Sequence, residues 1–129
     1  MTDLYLVFNH TLTDLQKRSA KTSIGVERVI DLPPPLKDLW SVVPPELPGL
    51  LDYLQPLKDW LVERARFSDY ILIQGDFGAT YLMVKFAFEN GLVPVYSTTV
   101  RNAIEEHNAD GSVRLLHHFK HIRFRKYEE

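Results

Sequence analysis

Apolar positions fall into short blocks separated by turn residues, and their spacing changes along the chain. Leu4-Tyr5-Leu6-Val7-Phe8 is apolar without interruption, the pattern of a strand covered on both faces. Thr13 with Gln16 three residues later forms a capping-box pair and opens a helix over about 14–21. After Gly25, Val26-Glu27-Arg28-Val29-Ile30 alternates, which predicts a second strand with one exposed face, nearer a sheet edge. Six prolines (Pro33, Pro34, Pro35, Pro44, Pro45 and Pro48) rule out one regular element across 32–48, although 36–40 has the composition of a single helical turn. Both flanks belong to one α/β repeat, so this segment is read as a structured excursion and not as a linker. Leu50, Leu51, Leu54, Leu57, Leu61 and Val62 recur at helical spacing and predict a helix over 49–65, which Pro56 must kink or start late.

Tyr70-Ile71-Leu72-Ile73-Gln74 predicts a buried strand that runs through Gly75-Asp76-Phe77-Gly78 into a helix ending near Asn90, with Gly91 as its stop. That helix carries Leu82, Met83, Val84, Phe86, Ala87 and Phe88 and has little polar face. It is expected to be covered on more than one side, by the sheet and by a second subunit. A fourth strand follows at 92–96. Segments 99–106 and 112–126 flank Asn108-Ala109-Asp110-Gly111, a hairpin turn signal. The alternation of strands and helices predicts a three-layer α/β sheet of order 2-1-3-4, parallel at its centre, with a C-terminal antiparallel β-hairpin over 99–126. Ligands of such sheets bind outside the carboxyl ends of the strands at the switch point, here strands one and three. Asn9-His10 and Gln74-Gly75-Asp76 fall there, and Ser97-Thr98-Thr99 with Arg101 are expected alongside.

Length and composition narrow the class. A chain of 129 residues fits one domain over 1–129, and 45% apolar with 25% charged residues is ordinary for a soluble globular protein. The absence of cysteine excludes disulfides, thiolate metal sites and a thiol nucleophile. No apolar run approaches the ~18 residues of a membrane span, and Met1-Thr2-Asp3 lacks a basic leader, so a cytoplasmic protein with no membrane partner is expected. Charge is uneven. Residues 1–113 hold ten Lys/Arg against fifteen Asp/Glu, whereas 114–126 hold Arg114, Lys120, Arg123, Arg125 and Lys126, three histidines and no acid. That strip is either an edge strand blunted by charge or a surface facing phosphate or a partner.

The candidate crevice suits an anion or a nucleotide. Gly75, Gly78 and the following helix start can present backbone N–H groups to phosphate. The spacing matches neither G-x-G-x-x-G nor G-x-x-x-x-G-K-[ST], and Asp76-Phe77-Gly78 lacks the partner motifs of a kinase. Asp76 is an N-cap or a ribose ligand, and Gln74 is a backbone-satisfied amide or an adenine contact. His10 is the best proton-transfer candidate beside Asn9, or a loop histidine without duty. Thr98 and Thr99 can offer hydroxyls to phosphate. His117 and His121 would share a strand face roughly 13 Å apart, with His118 on the other, too dispersed to hold one metal ion.

With Phe8-Asn9-His10, Gln74-Gly75-Asp76-Phe77-Gly78, Ser97-Thr98-Thr99 and 119–127 in view, the chain resembles the small CRISPR-associated Csx accessory proteins of type III systems, grouped with the ring nucleases. The resemblance runs the whole length. It implies a Rossmann-like fold related to the CARF sensor domain, a homodimer, and a cyclic oligoadenylate ligand, most often the tetra-adenylate ring. It also implies metal-independent cleavage by ribose 2′-OH attack with no cofactor, and no DNA partner. On this implication His10 and Asn9 are catalytic, and Gln74, Gly75, Asp76, Phe77 and Gly78 bind base, ribose and backbone. Thr98, Thr99 and Arg101 hold phosphate. The alternatives are a non-catalytic sensor or sponge of the same ring, or an RNA- or protein-binding module that uses the basic hairpin.

Overall fold

β1 (Asp3–Val7) is an interior strand of the sheet, with apolar side chains on both of its faces. The computed structural model describes residues 1–129 apart from the side chains of Asn102 and His117. After β1 come α1 (Asp14–Ser23), β2 (Arg28–Asp31), α2 (Pro34–Ser41), α3 (Gln55–Arg64), β3 (Tyr70–Ile73), α4 (Phe77–Glu89), β4 (Val93–His107) and β5 (Val113–Lys126). They build one sheet of order β2-β1-β3-β4-β5, parallel throughout except for the antiparallel β4–β5 pair. This is a mostly parallel α/β sheet with an antiparallel hairpin margin, consistent with a Rossmann-like fold.

The strand pleat divides the core in two. Tyr5, Val7, Ile71 and Ile73 face Trp40, Leu57, Leu61 and Met83 of α2, α3 and α4. Leu4, Leu6, Leu72, Val95 and Phe124 face the opposite side, where Ala20 of α1 packs with Leu12 and Val26. Successive residues of one strand therefore enter different cores, as a period of two requires. At the start of α1 the capping box forms: Gln16 N–H donates to Thr13 Oγ1 (3.1 Å) and Thr13 N–H to Gln16 Oε1 (2.9 Å). At the far end of the sheet Asp69 is buried, and its carboxylate accepts from Asp3 N–H (3.0 Å) and Arg66 N–H (2.8 Å).

Three elements differ from the sequence expectation. The proline-rich excursion holds an eight-residue helix, α2, in place of a single turn, because prolines are welcome in a first helical turn where no N–H partner is needed. The helix expected over 49–65 begins only at Gln55, with Pro56 in its first turn, so the proline marks a late start and not a kink. The fourth strand does not stop at 96. The β3–β4 ladder ends at Leu72 opposite Val95, and the Gln74 side chain then supplies one more rung by accepting Ser97 N–H at 2.8 Å. From there β4 runs on, paired with β5 alone, and the ribbon passes the carboxyl end of the parallel strands by about 30 Å.

A bulge sits where the ribbon leaves the sheet. Thr98 pairs with Arg123 and Thr99 with His121, so Ile122 is an extra residue in β5. The Thr98 hydroxyl serves the bulge, accepting from Arg123 N–H (3.2 Å) and donating to Arg123 O (3.0 Å). His121 and Phe124, three residues apart, are consequently both buried on the α1 side. Among the described residues no helix is long and apolar enough to cross a membrane.

Candidate functional site

Parallel pairing brings the ends of β1 and β3 together, and Gln74 N–H donates to Val7 O at 3.2 Å. Asn9-His10 and the 74–78 turn therefore leave the sheet side by side, as the switch-point argument requires. Asn9 and His10 are exposed, and the His10 ring stands edge-on to Phe8 with centroids 5.2 Å apart.

Most of the turn's polar groups already serve the chain itself. Gln74 uses its carbonyl to accept the Trp40 indole N–H (2.9 Å) and its side-chain oxygen to accept Ser97 N–H (2.8 Å). Asp76 caps α4 by accepting Ala79 N–H at 3.0 Å. Gly75 is small for the sake of Trp40: a Cβ there would lie 2.7 Å from the indole nitrogen. Gly78 has room, since its added Cβ would meet nothing closer than 3.6 Å. Phe77 opens α4 and is 95% exposed, an aromatic ring left without cover.

A groove of about 290 Å³ opens on the α4 side of this turn, lined by Gln74, Gly75, Phe77, Thr80, Tyr96 and Tyr127. It continues past Phe77, Thr80 and Tyr127 into a larger apolar trough of about 660 Å³ along Tyr81, Val84 and Phe88 of α4. Tyr96 and Tyr127 form a tilted ring pair, 4.7 Å between centroids. Burial raises the Tyr127 phenol above its usual pKa, so it stays protonated and donates to Ile73 O at 2.7 Å. The Thr80 hydroxyl oxygen is buried and has no hydrogen-bond partner among the described residues. On the other side of Tyr81, Asp76 and Gly78 border a cleft of about 480 Å³ whose far wall is the excursion, including Pro44, Pro45 and Pro48.

The remaining expected residues are distributed differently. Ser97-Thr98-Thr99 was expected at the carboxyl end of the fourth strand, with a separate hairpin strand beginning at Thr99. It lies instead inside one continuous β4, and the Ser97 and Thr98 hydroxyls are used locally. Ser97 Oγ accepts from Gln16 Nε2 (3.3 Å) and meets His121 Nδ1 at 2.6 Å, while His121 Nε2 meets Ser19 Oγ at 2.9 Å. A neutral His121 carrying its proton on Nε2 lets Ser97 donate to Nδ1 and leaves no donor of the pair unused. Burial depresses its pKa, in keeping with the neutral form. Thr99 is exposed, and Arg101 stacks over Phe119 with its guanidinium carbon 5.9 Å from the ring centroid. None of Asn9, His10, Thr98, Thr99 and Arg101 lines the 290 Å³ groove. No group of three or more His, Asp or Glu among the described residues could hold a metal ion, and the His117 side chain lies outside those residues.

Sequence reasoning did not assign Thr80, Tyr96 or Tyr127 to the site. Only their tertiary approach marks them, although Tyr96 directly follows Val95, where the parallel ladder ends, and so emerges at the carboxyl edge.

These features define an α/β protein with an aromatic-walled cleft at the carboxyl edge of a parallel sheet. The chain belongs to the family described as "Uncharacterized protein MJ1673 family", which matches residues 2–125. A relative from Methanocaldococcus jannaschii, described as "Uncharacterized protein MJ1673", is 46% identical over 127 residues, covering 98% of each chain. No solved structure matches the chain.

Proposed function

We propose that this protein is a ring nuclease of CARF-like fold, a phosphodiesterase that opens cyclic oligoadenylate in the cytoplasm and so switches off type III CRISPR antiviral signalling. The observation that supports it is the groove in which the Gln74 amide, the Gly75 backbone and the Phe77, Tyr96 and Tyr127 rings surround about 290 Å³. Purine bases suit such a place, with rings for stacking and an amide for the base edge. Cyclic tetra-adenylate is the favoured substrate, bound across the two-fold axis of a homodimer. Phe77 and Tyr81 are 95% and 68% exposed on α4 and offer an apolar face for that second subunit.

In the reaction a ribose 2′-OH attacks its adjacent phosphorus and the P–O5′ bond breaks, leaving a 2′,3′-cyclic phosphate. The 2′-OH loses a proton and the departing 5′ oxygen gains one, with no metal or cofactor in the step. His10 handles these protons and Asn9 orients the phosphate. Gln74 and Asp76 hold base and ribose, and Gly75, Phe77 and Gly78 shape the turn. Thr99 and Arg101, which lie outside the groove, meet phosphate at its margin, whereas the Thr98 hydroxyl is taken by the Arg123 backbone. A second reading, a sensor or sponge that binds the ring without cutting it, is favoured by the use of Gln74 and Asp76 as backbone acceptors.

The test is incubation with cyclic tri-, tetra- and hexa-adenylate, with and without EDTA, followed by chromatography. Linear products despite EDTA, lost in His10→Ala while binding persists, support the nuclease. An intact ring that raises the melting temperature supports the sensor. Neither cleavage nor a shift refutes both.

A further inference from the structure

The bulge at Ile122 sorts the charges of β5. In a strictly alternating strand Arg123 and Arg125 would face away from Lys120 and Arg114. Here His121 and Phe124 are both buried against α1, so their neighbours Lys120, Arg123 and Arg125 all project from the other face. His118 and Arg114 share that face by alternation from Lys120. All five side chains are exposed. Among the described residues none of Arg114, His118, Lys120 and Arg123 makes an ion pair. Glu106 lies opposite Arg114 at the outer end and offsets its charge, which leaves the inner cations as the uncompensated row.

Blunting a sheet edge against aggregation requires charge but not charge on one face. Four of the five Lys/Arg of β5 lie on one face, Lys126 beside Val95 being the exception, and this bias calls for a partner with a matching row of anions. Alternate residues of a strand stand about 6–7 Å apart, close to the step between neighbouring phosphates of an extended nucleic-acid strand. Cross-strand pairing sets Tyr96 beside Arg125, Thr98 beside Arg123 and Val100 beside Lys120, so β4 contributes a column of uncharged side chains, headed by an aromatic ring, parallel to the cations. At the inner end Arg125 stacks on Tyr96, guanidinium carbon 5.5 Å from the ring centroid, and donates to its hydroxyl at 2.9 Å. Tyr96 in turn pairs with Tyr127 at the groove, an aromatic platform where the row of cations begins. A positive track beside stacking surfaces is the arrangement by which single strands are held.

We propose that this face of the β4–β5 ribbon binds a single-stranded nucleic acid, with phosphates along Arg125, Arg123, Lys120 and His118 and bases over the Tyr96 and Val100 column. The site concerns a linear strand on the ribbon; it meets the groove proposed for the cyclic substrate at Tyr96 and otherwise lies beyond it. Both RNA and DNA carry the required phosphates, and the assay separates them.

The experiment is fluorescence anisotropy of labelled oligoadenylate, RNA in one arm and DNA in the other, each about ten nucleotides long. Competitors are the same RNA in duplex form and polyglutamate. Three formal cations predict a slope of log affinity against log salt of about −2. Lys120→Glu/Arg123→Glu should weaken binding by about tenfold or more, and the milder Lys120→Gln/Arg123→Gln should weaken it in the same direction with an unchanged melting temperature. Glu105→Lys, on the α1 side of the ribbon, should leave affinity within about twofold, because its added charge faces away from the strand. Absent binding at low salt, an unaffected Gln double variant, or equal competition by duplex or polyglutamate would each overturn the proposal. The cyclic-ring assay uses none of these reagents, so either reading can fail without the other.

Discussion

Gly75→Ala tests whether the turn after β3 is shaped by the protein's own core. The added Cβ would lie 2.7, 2.8 and 2.9 Å from Nε1, Cε2 and Cζ2 of Trp40, far inside the ~3.5–4.0 Å of a favourable carbon contact. The indole has little freedom to yield. It is 2% exposed and its N–H donates to Gln74 O at 2.9 Å, so any swing outward disturbs both packing and the hydrogen bond. Overpacking of this kind costs about 1–3 kcal/mol, and losing the bond adds about 1 kcal/mol. Restricting the unfolded chain returns about 0.4–1 kcal/mol. The expected net loss is about 2 kcal/mol, which lowers a urea midpoint by about 1 M at the slopes usual for small proteins.

Gly78→Ala is the internal control, because its nearest atoms are 3.6 and 3.7 Å away and it lies in the first turn of α4. Removing a helical glycine there should raise stability by about 0.5–1 kcal/mol. Urea unfolding followed by circular dichroism and tryptophan fluorescence reads both variants. In a Trp40→Leu background the cost of Gly75→Ala should shrink by more than about 1 kcal/mol, since the two residues compete for one volume. A Gly75→Ala midpoint equal to wild type, or a cost unchanged by Trp40→Leu, would refute the packing account and return Gly75 to the ligand.

Asp69→Ala removes the acceptor for two backbone N–H groups at the amino end of the sheet, and should cost about 2–4 kcal/mol in urea unfolding. Asp69→Asn, which keeps one oxygen, should lose about half of that; an Ala variant as stable as wild type would show that water replaces the carboxylate. The His121 pKa is depressed by burial, so the unfolded chain binds its proton more readily than the folded one. Stability from this residue is complete above the unfolded value of about 6.5 and falls as pH drops below it towards the folded pKa. Melting temperatures of wild type and His121→Gln should therefore converge on acidification through that window, and parallel curves would contradict the assignment.

How far the sequence reached depended on whether a signal was local. The Thr13–Gln16 box and the unbroken apolar runs of β1 and β3 are local, and they led directly to α1 and to a central parallel pair. The strand order followed from connection rules acting on those elements. The continuity of β4 was hidden because Ser97-Thr98-Thr99 is polar and looks like a strand end, although threonine is a good strand former. What carries β4 onward is a side chain from another strand, the Gln74 amide, and then β5. Of the expected crevice residues only Gln74, Gly75 and Phe77 line the groove, and Gly75 and Asp76 answer first to Trp40 and Ala79. Proximity of Trp40 to Gly75 is a tertiary fact that spacing cannot supply.

The same limit applies more strongly to the basic hairpin. Counting Arg114, Lys120, Arg123, Arg125 and Lys126 establishes that 114–126 is cationic but says nothing about sidedness, because even and odd positions are both represented. One inserted residue decides the matter. Ile122 shifts the alternation between Lys120 and Arg123, and it is held in place from both sides: Phe124 and His121 are buried against α1, and the Thr98 hydroxyl satisfies the N–H of Arg123. An edge strand needing only solubility would gain nothing from an irregularity anchored by a buried histidine whose two ring nitrogens are both engaged. The bulge makes physical sense if the direction of those cations matters, and the direction it gives them is the face that begins at Tyr96 and the groove.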